Sequence, residues 1–515
     1  MMNILVINLG LRSMRAIVFN ERGEKLVHSW YPVRTTIKGD HVEQDPDEWW
    51  SLCQEVIKEA TADERIKNDI SAITVTSSAC FLVPVDKNGE AVRPSMIVSD
   101  KRSHNQAEWL KNNPDFTDIF LSPNNLAVAS YMFPKIIWLK ENEPANFAKT
   151  AKFISSNDYI LYKLSGACVT DPLNAEKLYY DQEEKKYPEK LLEFLGINED
   201  HLPEVKPVGF VVDNLKAELK QKFGFKQDIR IILSTYDALC AFWGAGVSEH
   251  GQACNVCGTV TSFRVHAPDK CAAKYGILSQ CFDANNNVYI VGGSNNLDGG
   301  LLEWAKDVFY GDAYPEKHIF NIMEDEASMS GHGANGLIFL PYLLGERVPF
   351  FDTKVRGMFF GLERHHKRQD LMRSIFESSG FLALGIMEAI EGLGVEVKQI
   401  RLSGGLARNN LISQLRADIT GREVLLIEET ETTALGAFMI VAISLGIFPD
   451  FKKASEIVRI KKTFTPDEKA RQKYRHIYQL FKELYEDTNH SFSKRLDMLD
   501  RIKTEEETRH TINNL

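Results

Sequence analysis

The sequence predicts an α/β protein built from two similar domains. Its 515 residues exceed the length at which a single hydrophobic core stops growing, so at least two domains are expected. A β meander with a turn of small residues opens each half, once over residues 3–32 and again over residues 252–264. Apolar strands also lead into helix-opening turns at residues 231–246 and 399–420, where open α/β sheets carry their chemistry. This repetition indicates a duplicated domain with a ligand between the two copies.

Composition and charge narrow the classes of function. Hydrophobic residues make up 44% of the chain and charged residues 26%, as in ordinary globular proteins. The 61 Lys and Arg residues are outnumbered by 71 Asp and Glu residues, which gives a formal net charge of −10. An acidic surface argues against nucleic acids and anionic membranes as partners, but it leaves room for a local basic pocket that binds small anions.

The apolar segments and the cysteines favour a cytoplasmic protein. The apolar run at residues 4–7 is too short for a secretory signal. Residues 434–448 are too few for a membrane span and include two glycines, so we expect a buried core helix there. The eight cysteines are scattered, and the C-x-x-C pair Cys254 and Cys257 lacks a second pair at metal-ligand spacing. We therefore expect reduced thiols and no zinc site.

The first meander contains a candidate phosphate turn. Strands are predicted at residues 4–7 and 15–19, joined by a turn over residues 8–13 that includes Gly10 and Ser13. Such a turn can present backbone N–H groups and a hydroxyl to a phosphate. The geometry of a tight turn explains Gly10 equally well, so both interpretations stay open.

Two carboxylates stand where predicted strands end. Asp100 and Arg102 follow a short strand at residues 95–98, and Asp237 follows a strand at residues 231–233 and opens a helix. A carboxylate in such a position can accept the proton of a hydroxyl nucleophile. The alternatives are a helix-capping role for Asp100 beside a solvated Arg102, and a dipole-stabilised helix N-terminus for Asp237.

The second half repeats the pattern of strand, turn and helix. Gly258 and Thr259 lie in the turn of its meander. Gly404 and Gly405 lie between a predicted strand and a helix over residues 409–420. A glycine-rich turn from strand to helix allows a nucleotide to approach the backbone closely.

The remaining segments are mostly helical. Amphipathic or apolar helices are predicted over residues 45–60, 301–309 and 368–391. Beyond residue 465 the chain is strongly charged and helical in period. We expect this tail to be a solvated helix with a frayed end.

Several motifs together resemble the FGGY family of carbohydrate kinases over residues 3 to 465. The matching motifs are residues 135–142, 341–342, 345–347, 356–362, 370–371 and 374–377. Residues 357–362 and the motifs that follow them are similar to the family's C-terminal signature throughout. Residues 341–342, 345–347 and 356–357 are similar to the segment that precedes this signature in xylulose and gluconate kinases. The first signature departs at Met132, where a small residue or proline is usual.

The resemblance implies two actin-like ATPase domains, of the ribonuclease H-like type, with a cleft between them. Residues 1–246 would form the N-terminal, sugar-binding domain, residues 247–465 the C-terminal, nucleotide-binding domain, and residues 466–515 a charged helical tail. Such a protein transfers the γ-phosphoryl group of ATP to a sugar hydroxyl, with Mg²⁺ as cofactor, mainly by positioning and charge neutralisation. The resemblance is also compatible with a homodimer.

The resemblance also implies roles for individual residues. Asp237 would be the catalytic base and would contact the substrate together with Asp100 and Arg102. The phosphates and the nucleotide would lie against three turns, through Gly10, Arg12, Ser13, Gly258, Thr259, Gly404, Gly405 and, less directly, Asn409. Asn8 and Asp237 would hold Mg²⁺ indirectly.

The first phosphate turn departs from the family pattern, which has an aspartate at its first position and hydroxyls after the glycine. Asn8 keeps an oxygen but lacks the negative charge that helps to hold Mg²⁺, and Leu11 lacks a hydroxyl. Arg12 adds a cation that can clamp phosphate instead. Two functions therefore stay open: an active ATP-dependent carbohydrate kinase, and a catalytically impaired sugar- or nucleotide-binding regulator derived from one.

The acceptor sugar is the least specified part of the prediction. A ketopentose such as xylulose, a related polyol or an aldonate would each offer a row of hydroxyls to Asp100. Xylulose kinases usually carry a Met-His pair after the strand that ends near Thr76, whereas this chain has Ser, Ser, Ala and Cys at residues 77–80. The missing histidine weakens the case for D-xylulose. An actin-like ATPase without a sugar substrate is disfavoured because the sugar-side motifs are present.

Overall fold

Two large β sheets with helices on both faces form the protein. The computed structural model describes residues 2–122, 124–272, 274, 276–283, 288–311 and 318–513, with side chains up to residue 502. The elements of the first half are β1 (Asn3–Leu9), β2 (Ser13–Asn20), β3 (Lys25–Pro32), β4 (Thr36–Lys38), β5 (His41–Gln44), α1 (Pro46–Ala60), α2 (Glu64–Asp69), β6 (Ile70–Ser77), β7 (Val83–Val85), β8 (Ser95–Met96), α3 (His104–Asn112), α4 (Met132–Asn142), α5 (Pro144–Lys149), β9 (Lys152–Ile154), α6 (Ser156–Ser165), β10 (Val169–Thr170), α7 (Pro172–Ala175), α8 (Glu189–Leu195), β11 (Glu204–Val205), β12 (Val211–Asn214), α9 (Ala217–Phe223), β13 (Arg230–Leu233) and α10 (Asp237–Gly244). Those of the second half are β14 (Gln252–Cys257), β15 (Thr261–Ala267), β16 (Leu278–Asp283), β17 (Val288–Ser294), α11 (Gly299–Phe309), α12 (Ile319–Ser328), β18 (Ile338–Leu340), β19 (Met358–Phe360), α13 (Arg368–Glu391), β20 (Gln399–Ser403), α14 (Asn410–Thr420), β21 (Glu423–Ile427), α15 (Thr432–Ser444), α16 (Phe451–Ser455), β22 (Ile460–Phe464) and α17 (Glu468–Asn513).

The two sheets share the arrangement of five strands, as the repeated meander predicts. Their strand orders are β12-β13-β6-β1-β2-β3 and β16-β17-β15-β14-β20-β21-β22. In each sheet the first strand of the meander pairs antiparallel with the second. The next two strands in the sheet, β6 and β13 or β20 and β21, run parallel to that first strand, whereas the edge strands β12 and β22 are antiparallel. The carboxyl ends of the parallel strands therefore meet at one edge of each sheet, where ligands bind in open α/β folds.

Strand β1 shows how the central strands are buried. All seven of its residues are buried. Leu5, Ile7 and Leu9 pack into a core shared with α1 and α6, whereas Ile4 and Val6 face α10 and α15. Because side chains alternate between the faces of a strand, this uninterrupted apolar run belongs to a strand covered on both sides.

Helices α10 and α15 join the two halves through direct backbone contact. A Cβ atom on Gly436 would lie 1.7 Å from the carbonyl oxygen of Cys240, and one on Gly244 would lie 1.8 Å from that of Thr432. Only glycine permits such an approach. Helix α15 confirms the buried core helix predicted over residues 434–448. Among the described helices, none combines the length and apolar character that crossing a membrane requires.

The C-terminal tail is helical, as predicted, but its first turns are not solvated. Ala470, Tyr474, Tyr478 and Phe481 are buried in the core of the second half. They recur every three or four residues and so lie on one face of α17. The charged residues between them hide this apolar stripe from composition alone.

Candidate active site

The first turn joins β1 to β2 at the edge of the first sheet. The Gly10 N–H donates to the carbonyl oxygen of Ser13 at 2.9 Å, which closes the turn. Leu11 and Arg12 are exposed at its tip. Asn8 is 1% exposed, and among the described residues neither atom of its amide group has a hydrogen-bond partner. A buried amide without partners is costly, so contact with a ligand there recovers free energy.

The second and third turns meet at the edge of the second sheet, because β14 and β20 are parallel neighbours. Gly404 has a φ of +95°, and a Cβ atom there would lie 2.4 Å from the carbonyl oxygen of Cys257. Thr259 is exposed, and no described atom lies within 4 Å of a Cβ built on Gly405. The backbone of both turns is therefore open to a ligand.

Asn409 caps the helix that follows the third turn. Its Oδ1 accepts a hydrogen bond from the N–H of Ile412 at 2.9 Å, and α14 begins one residue later than predicted. The side-chain oxygen is thus engaged within the helix. The contact of Asn409 with a nucleotide stays a prediction.

Asp237 opens α10 at the edge of the first sheet, where the sequence places it. Its Oδ2 accepts a hydrogen bond from the Ser78 hydroxyl at 2.7 Å. Burial raises the pKa of Asp237, while the Ser78 hydrogen bond, the Ala238 N–H and the charges of Arg264 and Arg15 oppose this rise. A partly desolvated carboxylate with a raised pKa is suited to accept a proton.

The backbone that carries Asp237 is fixed by buried hydrogen bonds. The Thr76 hydroxyl donates to the carbonyl oxygen of Thr235 at 2.8 Å, which ties the segment to β6. The Thr235 hydroxyl in turn donates to Oδ1 of Asp171 at 2.8 Å. These bonds hold the carboxylate of Asp237 in place before any substrate binds.

Asp100 and Arg102 form a buried ion pair. Arg102 donates to Asp100 from Nη2 at 2.7 Å and from Nε at 2.9 Å, and the N–H of Val42 donates to the same carboxylate at 2.7 Å. Arg102 also pairs with Glu43 at 2.7 Å and lies over the ring of Trp138. Both oxygens of Asp100 are engaged, so a sugar would have to displace a partner to bind them. The substrate-binding role of both residues stays a prediction.

Two arginines that the sequence did not single out act on Asp237. Arg15, on β2, lies opposite Asn8 in the strand register and donates to Glu431 at 2.8 Å. Arg264, on β15, has a buried Nη1, and among the described residues it forms no hydrogen bond or ion pair. The charges of these arginines, one from each half of the chain, oppose the rise in the pKa of Asp237. Their only sequence signal is a charge within an apolar strand.

A second buried ion pair lies behind the second turn. Asp298 donates its backbone N–H to the carbonyl oxygen of Thr259 at 2.8 Å, and Gly299 donates to that of Gly258 at 2.9 Å. Oδ2 of Asp298 accepts a hydrogen bond from Nη2 of Arg416 at 2.6 Å. No motif or spacing links these positions in the sequence, so sequence reasoning did not find them.

Asn8 and Asp237 are the residues that would contact the Mg²⁺ ion that the resemblance implies. Among the described residues, no group of three or more His, Cys, Asp or Glu side chains is arranged to hold a metal. The unpartnered oxygen of Asn8 and the carboxylate of Asp237 are hard ligands of the kind that Mg²⁺ prefers. Mg²⁺ in nucleotide sites keeps several waters and uses few protein groups, so these residues fit an ion carried mainly by phosphates.

Known proteins match this chain along most of its length. The N-terminal domain of the FGGY family of carbohydrate kinases matches residues 3–244, and the C-terminal domain of that family matches residues 253–445. Xylulose kinase of Staphylococcus xylosus is 26% identical over 490 residues, which cover 94% of this chain and 99% of that protein. Gluconokinase of Bacillus subtilis is 24% identical over 497 residues, covering 93% and 94%. The crystal structure of ligand-bound xylulose kinase from Lactobacillus acidophilus has a TM-score of 0.88 at 23% identity, covering 96% and 100%.

The fold is that of the two-domain actin-like ATPases, and the matching family models define a phosphotransferase. The chain belongs to the FGGY family of carbohydrate kinases, which confirms the predicted fold and enzyme class. Its substrates are accordingly ATP and a sugar. The relatives are named for different sugars at similar identity, so they do not single out an acceptor.

Proposed function

We propose that this chain is an active, ATP- and Mg²⁺-dependent kinase that phosphorylates a hydroxyl group of a ketopentose such as xylulose, a polyol or an aldonate. The observation that best supports the proposal is the Asp237 carboxylate, which Ser78 holds at 2.7 Å and which lies in the field of Arg15 and Arg264. A base whose pKa is influenced by cations from both halves of the protein matches the needs of phosphoryl transfer between two bound substrates.

In the proposed reaction, the acceptor hydroxyl oxygen attacks the γ-phosphorus of ATP. The new oxygen–phosphorus bond forms as the bond from that phosphorus to the ADP oxygen breaks, and Asp237 takes the hydroxyl proton. Ser78 orients the carboxylate, and Arg15 and Arg264 offset the charge of the transferring group. Bound Mg²⁺ would neutralise phosphate charge, with Asn8 and Asp237 as its protein contacts.

The alternative is an impaired regulator that binds sugar or nucleotide without turnover. The observation that favours it is Asn8, a buried amide where the family pattern has an aspartate. An amide oxygen attracts Mg²⁺ less strongly than a carboxylate does. The two functions differ in a measurable way, because only the kinase releases ADP in a sugar-dependent manner.

The deciding experiment measures ADP release from Mg-ATP over a panel of ketoses, polyols and aldonates. The wild-type protein is compared with Asp237→Ala and Asn8→Asp, and sugar binding is followed by calorimetry. Turnover on one acceptor that disappears in Asp237→Ala supports the kinase. Sugar binding without turnover in both the wild-type protein and Asn8→Asp supports the regulator instead.

Two further expectations belong to this proposal. A cytoplasmic location is supported by the eight cysteines, all in the described part of the chain and all without disulfide partners. Localisation of a tagged protein would test it. The homodimer stays a prediction that light scattering in solution can decide.

A further inference from the structure

Lys177 is a buried cation without an anionic partner. It lies in a short 3₁₀ segment, Glu176–Leu178, and is 5% exposed. Its ammonium group lies over the rings of Tyr131 and Tyr236, at 5.2 and 5.6 Å from their centroids. Among the described residues it forms no hydrogen bond and no ion pair. A buried charge with unused donors is unfavourable unless a partner reaches it.

The groups around Lys177 are already engaged elsewhere. The Tyr131 hydroxyl donates to the carbonyl oxygen of Asn124 at 3.0 Å, and the Tyr236 hydroxyl donates to Oε1 of Gln280 at 2.7 Å. The ammonium group lies over the ring faces of these tyrosines and forms no hydrogen bond with either hydroxyl. Cation–π contacts are weaker than a charge-assisted hydrogen bond, and the three N–H donors have no protein acceptor among the described residues.

Glu176 offsets part of the charge of Lys177 but does not pair with it. Its two oxygens accept hydrogen bonds from Gln182 at 2.8 Å and from Gln280 at 3.0 Å. Burial raises the pKa of Glu176, and the charge of Lys177 opposes this rise. The carboxylate of Glu176 is thus directed to two amide groups, which leaves the ammonium available.

Lys177 lies on the acceptor side of the site. Tyr236, over which it stacks, directly precedes Asp237. The charge of Lys177 also acts on the thiol of Cys80, which lies two residues after the Ser78 that bonds Asp237. Lys177 therefore lies near the segments that carry Ser78 and Asp237, whereas two of the three proposed phosphate and nucleotide turns belong to the second half of the chain.

We propose that the acceptor of this kinase carries a carboxylate group and that Lys177 binds it. This inference rests on the proposed sugar kinase function and narrows it to an acidic sugar of the aldonate class. The carboxylate supplies the anion that the protein does not provide, while a hydroxyl farther along the same molecule meets Asp237. A neutral ketose or polyol would offer this ammonium group neutral oxygens but no anion, and so a weaker hydrogen bond.

The test uses acceptor pairs of equal carbon number that differ in the terminal group: D-gluconate with D-glucitol, and D-xylonate with D-xylitol. Dissociation constants are measured by calorimetry, and KM is measured for any acceptor that is phosphorylated. We expect at least one acid to bind more tightly than the neutral polyol of equal carbon number. In Lys177→Met this acid should bind roughly 10- to 100-fold more weakly, with the KM for ATP unchanged.

Three variants make the test specific. Lys177→Arg keeps the charge and should retain most of the affinity for the acid. Lys216→Met is the matched control, because Lys216 also lies over a tyrosine ring, that of Tyr162 at 5.4 Å, beside the end of α6. Lys216→Met should change neither the dissociation constant of the acid nor the KM for ATP. Lys177→Met removes an unpaired buried charge, so a thermal melt should show a folded protein.

Each remaining outcome overturns one claim. Equal or tighter binding of the neutral polyols, or an unchanged affinity for acids in Lys177→Met, would exclude the carboxylate site even if the kinase is active. A rise in the KM for ATP alone would assign Lys177 to the nucleotide. Selective binding of an acid without ADP release from any acceptor would instead refute the kinase and leave the carboxylate site standing.

Discussion

Arg416 donates a hydrogen bond from Nη2 to Oδ2 of Asp298 at 2.6 Å, and the two side chains are 1% and 0% exposed. Asp298 also accepts hydrogen bonds from the hydroxyls of Thr261 and Ser379. Because Asp298 precedes α11 and Arg416 lies on α14, the pair joins the second turn to the helix that follows the third turn. Two separate segments of the second half of the chain are therefore held as one unit.

We expect Arg416→Met to leave the buried carboxylate of Asp298 without its cation and to lower the free energy of unfolding by about 3 to 5 kcal/mol. Because Asp298 also holds the backbone of Thr259, the KM for ATP should rise several-fold while the KM for the sugar stays the same. Urea denaturation and steady-state kinetics measure the two effects.

The double variant Asp298→Asn with Arg416→Met serves as the control, since it removes both charges. It should recover a large part of the lost stability, because two neutral groups can replace a buried ion pair. A single variant as stable as the wild-type protein would show that the pair does not hold the turns together.

Ser78→Ala should shift the acid limb of the pH–activity profile to higher pH. The Ser78 hydrogen bond opposes the rise that burial causes in the pKa of Asp237, so its loss raises that pKa further. A base must be ionised to accept a proton, so kcat/KM at a fixed mildly acidic pH falls. Profiles of kcat/KM against pH for both proteins provide the measurement. An unchanged acid limb would indicate that another group is the base.

Gly436→Ala should disrupt the contact between α15 and α10. The added methyl group would lie 1.7 Å from the carbonyl oxygen of Cys240, three residues after Asp237. Such overpacking costs about 1 to 3 kcal/mol or more, and the shift of α10 should lower kcat. Gly331→Ala is the control, because no described atom lies within 4 Å of a Cβ at that position. Thermal denaturation measures the effect, and an equal fall in melting temperature in both variants would contradict the proposed contact.

Asn8→Asp should make the stability of the protein depend on Mg²⁺-nucleotide. Without ligand, the new carboxylate is buried without a partner and lowers the melting temperature. Mg-ADP should raise it more than in the wild-type protein, because the carboxylate adds a hard, charged ligand. Asn157→Asp is the control, as Asn157 is a similarly buried and unpartnered amide on α6. Equal responses of the two variants would remove Asn8 from the metal site.

Asp158→Asn should flatten the dependence of stability on pH. Burial raises the pKa of Asp158 from 3.8 to about 7 in the folded protein. The folded state then binds a proton that the unfolded state has released, so the free energy of unfolding falls as pH rises through this window. The asparagine can still accept the capping hydrogen bond from the N–H of Ser155. The difference in the free energy of unfolding between the variant and the wild-type protein should therefore shift in favour of the variant by on the order of 2 to 4 kcal/mol from pH 4 to pH 8.

Two other carboxyl groups add to the same slope. Burial raises the pKa of Asp171 to about 6 and that of Glu346 to about 7. Asp158→Asn should therefore remove only part of the pH dependence. Chemical denaturation at several pH values gives the slopes, and a variant with the full wild-type slope would show that Asp158 stays ionised.

Local pattern was enough to predict the elements of this fold and the position of Asp237, the proposed base. The alternation in the two meanders, the apolar run before Asp237 and the glycines of the third turn each lie within a few residues of one another. Such signals depend on backbone geometry and on the period of burial, which neighbouring residues determine. The helical period of the tail was visible too, but which face it buries depends on the core it meets.

The sequence by itself determined the class of protein, the duplicated architecture and the strand ends where the site lies. Only the tertiary structure decided which side chains meet there. Ser78 and Asp237 are separated by 159 residues, and Asp298 and Arg416 by 118. No periodicity connects such positions, because their contact follows from how parallel strands are ordered in a sheet and how the two halves pack. Lys177 has no hydrogen-bond or ion-pair partner among the described residues, and this too is a property of the folded protein, since it depends on where neighbouring side chains direct their hydrogen bonds.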